Sequence, residues 1–112
     1  MNQINFLGCY TAIVTPFTPT GSLDIPALEA LTDWQISSGI TGIVACGTTG
    51  ESVTLSMDEY QQVIESIVQT SGGRVPVIAG AGGINTTHVI EIVKIAEAAG
   101  ADAILSVAPY YN

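Results

Sequence analysis

The sequence predicts an α/β protein built on a parallel sheet, in the order β-α-β-α-β-α-β. Three observations carry this. Short apolar runs rich in β-branched residues fall at 10–14, 42–46, 75–79 and 103–107. Longer stretches with helical spacing lie between them, at 26–38, 57–70 and 86–99. A repeat of helix, glycine, strand and polar loop is visible in SSGITGIVACG, SGGRVPVIAG and AAGADAILSVAP. Strands that alternate with helices imply parallel pairing through right-handed crossovers. Two architectures fit this pattern, an open doubly wound sheet or the first half of a (β/α)₈ barrel, and periodicity alone does not choose.

Each element has its own signals. The four apolar runs read as strands buried on both faces. The first helix carries Ile25, Leu28 and Leu31, less regularly Trp34 and Ile36, with Asp24 as cap and Gly39 beyond its end. In the second, Ser56 and Glu59 have capping-box spacing ahead of Tyr60, Val63, Ile64, Ile67 and Val68, and Gly72 and Gly73 stop it. The third runs through Val89, Ile90, Ile92, Val93 and Ile95 after Asn85 and Thr86, and ends at Gly100.

At 112 residues the chain has room for one domain, and 47% hydrophobic against 11% charged residues is the composition of a folding chain. Ten acidic residues face two basic ones, for a net charge of −8 and a pI near 4.1. Such a surface cannot follow a phosphate backbone or an anionic membrane, so nucleic acid and membrane are excluded as partners. No apolar run has the ~18–20 residues of a membrane span, and MNQINFLGCY lacks a signal-peptide layout, which makes a cytoplasmic protein the expectation. Cys9 and Cys46 sit in apolar stretches and read as small core hydrophobes. Placed at opposite ends of neighbouring strands, about 15 Å apart, they are too distant for a disulfide.

In either architecture chemistry gathers at the carboxyl ends of the strands. After the second strand comes Gly47-Thr48-Thr49-Gly50-Glu51-Ser52, in which glycines free the backbone to turn and adjacent hydroxyls donate beside exposed N–H groups. This is either a carboxylate cradle without a cation or an ordinary Thr/Gly turn. No lysine follows, so it is not a phosphate-binding P-loop. Gly80-Ala81-Gly82-Gly83 superficially matches a dinucleotide fingerprint, but Asn85 stands where that pattern needs Gly or Ala, and close backbone packing accounts for the glycines.

After the fourth strand stand Pro109, Tyr110, Tyr111 and Asn112. A phenol linked to other hydroxyls can relay a proton; the alternative is aromatic packing at an interface. His88, with no second His or Cys beside it, reads as a solvated helix residue, and no metal site is expected. Glu51 is expected to satisfy backbone donors, Trp34 to pack, and Lys94, the only lysine, to lie solvated or half-buried on its helix.

Taken together, Thr15-Pro16-Phe17, Gly47-Thr48-Thr49-Gly50-Glu51, Gly80-Ala81-Gly82 and Pro109-Tyr110-Tyr111-Asn112 form one ordered set, each after successive strands. This set resembles the dihydrodipicolinate synthase family, from about Leu7 to the last residue. The resemblance implies the barrel, with residues 1–112 as a single N-terminal half-barrel segment and the remainder absent. It also implies a Schiff-base-forming lyase that condenses pyruvate with aspartate 4-semialdehyde on the route to diaminopimelate and lysine, without cofactor or metal. By the resemblance Thr48 and Tyr111 belong to a hydroxyl proton relay, with Tyr111 reaching across a dimer interface. Thr49 binds the pyruvate carboxylate, and Thr48 and Tyr110 also line the substrate site. A homotetramer, a dimer of dimers, is the implied assembly.

The chain departs from the family in two respects. The family's imine-forming lysine, on a later strand, and its third relay member, a tyrosine in a YNVP-type motif, are not among these residues, so the segment is expected to be inactive alone, and Lys94, on an outer helix, cannot substitute. Lysine-inhibited members carry Asn and Glu at positions that align with Ile84 and His88, which implies loss of lysine feedback. The rival readings are another pyruvate-dependent aldolase, such as an N-acetylneuraminate lyase or a 2-keto-3-deoxy sugar-acid aldolase, and a non-catalytic half-barrel that acts by association.

Overall fold

The computed structural model describes residues 3–111. Strand β1 is Tyr10–Ala12, followed by helix α1 (Ile25–Ser37), β2 (Gly42–Ala45), α2 (Met57–Ser71), β3 (Val77–Gly80), α3 (Thr86–Ala99) and β4 (Ala103–Leu105), with a single 3₁₀ turn at Ser52–Thr54 before α2. The predicted order holds.

All neighbours pair in parallel, and the order across the sheet is β1-β2-β3-β4. Each right-handed crossover therefore advances one strand in the same direction and leaves its helix on the same side. A doubly wound sheet reverses direction at a switch point and so acquires helices on both faces. Burial agrees with the first pattern. Ile13, Ile43, Ala45, Val77 and Ala79 lie buried on the helix side, whereas Val14, Leu105 and Val107 are exposed. The register places Ala12, Val44, Ile78 and Ala103 in one row across the opposite, uncovered face. The sheet is thus a sector of a barrel wall.

This corrects the expectation that the strands are buried on both faces. One face has helices and the other has none, so β1 and β4 keep partly exposed side chains. Both are also edges, which shortens them relative to the apolar runs at 10–14 and 103–107. Strand β3 begins later than its apolar run because Pro76 has no N–H to donate; its carbonyl accepts from Ile43 N at 3.0 Å instead.

The helix ends follow the capping signals. Asp24 Oδ1 accepts from Ala27 N at 3.0 Å. Ser56 and Glu59 form a reciprocal capping box, each bond 3.1 Å. Asn85 Oδ1 caps α3 by accepting from Thr87 and His88. Helix α2 is the centre of the helical layer: it packs against α1 on one side and α3 on the other, and buries Tyr60, Val63, Ile64 and Ile67 against the sheet. Two singletons differ from expectation. Trp34 points into solvent, 62% exposed, because the stripe of α1 that meets α2 is centred on Leu28 and Thr32. Cys9 is exposed, since it precedes β1 where no helix covers the chain; Cys46 is buried, and both thiols are free.

At the end of β2 the backbone of Cys46 turns into the left-handed region, φ 53°. Its carbonyl then lies against Gly80, where a Cβ would come within 2.2 Å of the Cys46 oxygen. Burial pushes the Cys46 thiol from its ordinary 9.0 up to about 12. The Tyr60 phenol is also pushed up, first by burial and then by the neighbouring Cys46.

Gly80→Ala forces backbone against backbone and is expected to destabilise the chain by about 1–3 kcal/mol in urea unfolding; an unchanged midpoint would show that β2 and β3 can separate freely here. Because the folded-state pKa values of Cys46 and Tyr60 are raised, the unfolded chain loses these protons first, so the stability present below pH 9 should fall as pH rises toward about 12. Urea midpoints measured across the alkaline range check this, and a flat profile contradicts it.

Candidate active site

In a parallel sheet with this connectivity, the segments that follow β1, β2, β3 and β4 all emerge at one edge. Thr15, the threonine pair, the Gly80–Gly83 run and the tyrosine pair therefore share that edge, as the sequence implies. Close packing accounts for two of the glycines at the end of β3: a Cβ on Gly80 would meet the Cys46 backbone and one on Gly82 would meet Val107, whereas Gly83 has ordinary space.

The loop between β2 and the 3₁₀ turn is built from its own backbone. Left-handed residues stand at both ends of it, Cys46 at φ 53° and Glu51 at φ 58°. Between them Glu51 N donates to Thr48 O at 3.0 Å and Ser52 N donates to Gly47 O at 3.3 Å. Among the described residues, the N–H groups of Thr48, Thr49 and Gly50 donate to no protein acceptor. The side chains of Thr48 and Thr49 are exposed at the tip. N–H groups without a protein acceptor beside two exposed hydroxyls make a donor-rich turn, which suits a small carboxylate. The Glu51 side chain does not satisfy backbone donors as expected. It makes no capping bond, and the residue acts through its left-handed backbone.

The base of this loop is held from two sides. Thr15, 4% exposed, donates its hydroxyl to Gly50 O at 2.7 Å. Gly50 is closely packed: a Cβ would lie 3.2 Å from both Cys46 N and Ile13 O, tighter than an ordinary contact. On the other side the Tyr60 hydroxyl donates to Gly80 O at 2.9 Å, which fixes the strand end beneath Cys46. Sequence reasoning missed both bonds. Thr15 stood in a quoted motif without a role of its own, and Tyr60 was read only as one more apolar position on α2. A polar atom within an otherwise buried row was the available signal in each case.

The tyrosines part company. Tyr110 lines a groove of about 310 Å³ with Ser52, Tyr60, Ile84, Asn85 and His88, while Thr48, Thr49 and Tyr111 lie outside it. Tyr111 is 99% exposed with φ 77° and touches neither threonine by hydrogen bond. Asn112 lies outside the described residues. His88 is solvated on α3, its Nδ1 4.0 Å from Glu91 Oε2. Lys94 is exposed in a shallow cleft with Gln61 and Glu65, in the helical layer and away from the loop edge. Among the described residues no group of three or more His, Cys, Asp or Glu side chains gathers as a metal site would need.

Comparison with known proteins now gives this edge a context. The model of the dihydrodipicolinate synthetase family matches residues 5–112. The chain is 58% identical over 107 residues to a 4-hydroxy-tetrahydrodipicolinate synthase of Rhodopseudomonas palustris, which covers 96% of this chain and 36% of that relative. It is 55% identical over 110 residues to the Bradyrhizobium diazoefficiens protein of the same name, covering 98% of this chain and 37% of the relative. Among solved structures, a dihydrodipicolinate synthase from Bacillus anthracis superposes with a TM-score of 0.94 at 44% identity, over 98% of this chain and 38% of that one. The chloride-inhibited synthase from Acinetobacter baumannii, complexed with pyruvate, superposes with a TM-score of 0.91 at 50% identity, over 94% and 36%. The chain thus spans little more than a third of the length of these relatives, whose barrel wall it reproduces in part. With four strand-end motifs in family order on a sheet of matching topology, the chain belongs to the dihydrodipicolinate synthetase family.

Proposed function

We propose that these residues form the pyruvate-carboxylate end of the active site of a 4-hydroxy-tetrahydrodipicolinate synthase, which condenses pyruvate with aspartate 4-semialdehyde in lysine biosynthesis. The observation that carries the reading is the set of unbonded N–H groups at Thr48, Thr49 and Gly50 beside two exposed hydroxyls. A relative at 50% identity is complexed with pyruvate, a small carboxylate of the kind such donors accept.

In this reading Thr49 and the loop amides hold the carboxylate. An amine from a lysine outside these residues adds to the ketone carbon of pyruvate, and the resulting carbinolamine loses water to give the imine. Protons must be delivered and removed at each stage, and a chain of hydroxyls at Thr48 and Tyr111 serves that purpose. Tyr111 projects from its own subunit, which fits a role in a neighbour's site within a dimer or a dimer of dimers. Tyr110 contributes to the substrate side. The activity takes place in the cytoplasm.

The test is a completed barrel in which residues 1–112 continue into the remainder of the Rhodopseudomonas palustris relative. Borohydride should trap pyruvate on a lysine outside this segment. Thr49→Val should raise the pyruvate KM about tenfold, and Tyr111→Phe should lower kcat about 100-fold. A barrel that forms no adduct, or an adduct on Lys94, contradicts the proposal.

The groove beside Tyr110 bears on regulation. Ile84 offers no partner to a charged amino acid, and His88 is solvated near Glu91. Calorimetry of the completed barrel with lysine is expected to show no binding; micromolar affinity would contradict the assignment of Ile84 and His88.

A further inference from the structure

The side chains of Thr48 and Thr49 are exposed, so their own packing does not fix the direction of the loop. We infer that Thr15 is a positioning residue for the Thr48-Thr49 cradle, acting through the carbonyl of Gly50. The inference rests on the proposed pyruvate site and goes beyond it by naming what holds that site in shape.

The Gly50–Glu51 peptide is a rigid trans plane whose carbonyl and N–H point in opposite directions. Its carbonyl accepts from Thr15 Oγ1 at 2.7 Å, and its N–H donates to Thr48 O at 3.0 Å. Both ends of one plane are therefore tied, one to the segment after β1 and the other to the cradle. The tilt of this plane sets where Thr48 O must lie, and with it the orientation of the Thr48–Thr49 peptide whose N–H is offered to the ligand. Thr15 suits the task because a β-branched side chain has few χ1 options.

The location argues that the hydroxyl is there for this bond. Thr15 lies in the same row as Ile13, on the side of the sheet that faces the helices, and both are buried. A hydroxyl in such a row is unfavourable unless it is bonded, and valine would fill the same volume. Gly50 itself is buried close against Cys46 N and Ile13 O, which leaves its peptide little room to shift.

The experiment uses the completed barrel and compares Thr15→Val, Thr15→Ser, Gly50→Ala and Ile13→Val. Pyruvate KM, kcat, thermal midpoint and exchange of the Glu51 amide are read together. Thr15→Val removes the donor and Gly50→Ala displaces the acceptor. Each is expected to raise the pyruvate KM about tenfold with a smaller change in kcat, and Thr15→Val to speed exchange at Glu51. Thr15→Ser should restore KM to within about twofold of the parent. Ile13→Val, which lowers the thermal midpoint without touching the bond, should leave KM unchanged. An unchanged KM in Thr15→Val, or a rise in Ile13→Val equal to that in Thr15→Val, overturns the role. If Thr15→Val does not fold, Thr15→Ala, which also removes the donor, decides by the same criterion. A parent barrel that forms no pyruvate adduct overturns the enzymatic reading, and the role of Thr15 with it.

Discussion

The backbone of Cys46 is gripped between two glycines, and the shape of the strand-end loops depends on that grip. Gly50 lies against its N–H and Gly80 against its carbonyl; a Cβ would fit only tightly at the first place and not at all at the second. Backbone this close leaves little freedom in how the chain exits β2. The left-handed turn at Cys46 is the outcome, an uncommon conformation for a side-chain-bearing residue and one that persists only when its surroundings impose it. The threonine loop inherits its direction from that turn, while buried hydroxyls from the segment after β1 and from α2 hold the two glycine carbonyls in place.

The sheet supplies the setting. Because its strands run parallel in sequence order, every strand end reaches the same edge, and residues 30 or more apart in sequence can contribute to one surface. The helical layer contributes rigidity from behind. Helix α2 anchors β2 and β3 through Val63, Ile64 and Ile67, and also carries Tyr60 to the Gly80 carbonyl. Stability and site geometry therefore share residues. The uncovered face has another character: its apolar row of Ala12, Val44, Ile78 and Ala103 has no layer against it, consistent with a chain that matches only part of the longer barrels of its relatives.

Periodicity, capping residues and glycine stops made the element order legible, because each is a local property of the chain. Asp24, Ser56 with Glu59, Asn85, Gly72 and Gly100 all act where their chemistry says they should. The number of covered faces was not local. A buried strand face and one awaiting a neighbour have the same apolar composition, so β1 and β4 read as fully buried. Among site residues, the Thr48-Thr49 loop stood out because glycines and hydroxyls together mark a donor-rich turn. Thr15 and Tyr60 did not, since a hydroxyl at the end of an apolar run reveals its acceptor only after the chain has folded. Tyr111 was identifiable as a strand-end aromatic, but its near-complete exposure depends on what the fold leaves beside it.

The central claim is that the loop after β2 is an anion cradle whose donors are backbone amides held in advance of binding. Titration of the ¹⁵N-labelled chain with pyruvate, followed by amide chemical shifts, tests it most directly. The account predicts saturable shifts concentrated at Thr48, Thr49 and Gly50. Shifts confined to the groove beside Ile84 and His88, with those three amides unmoved, would contradict it.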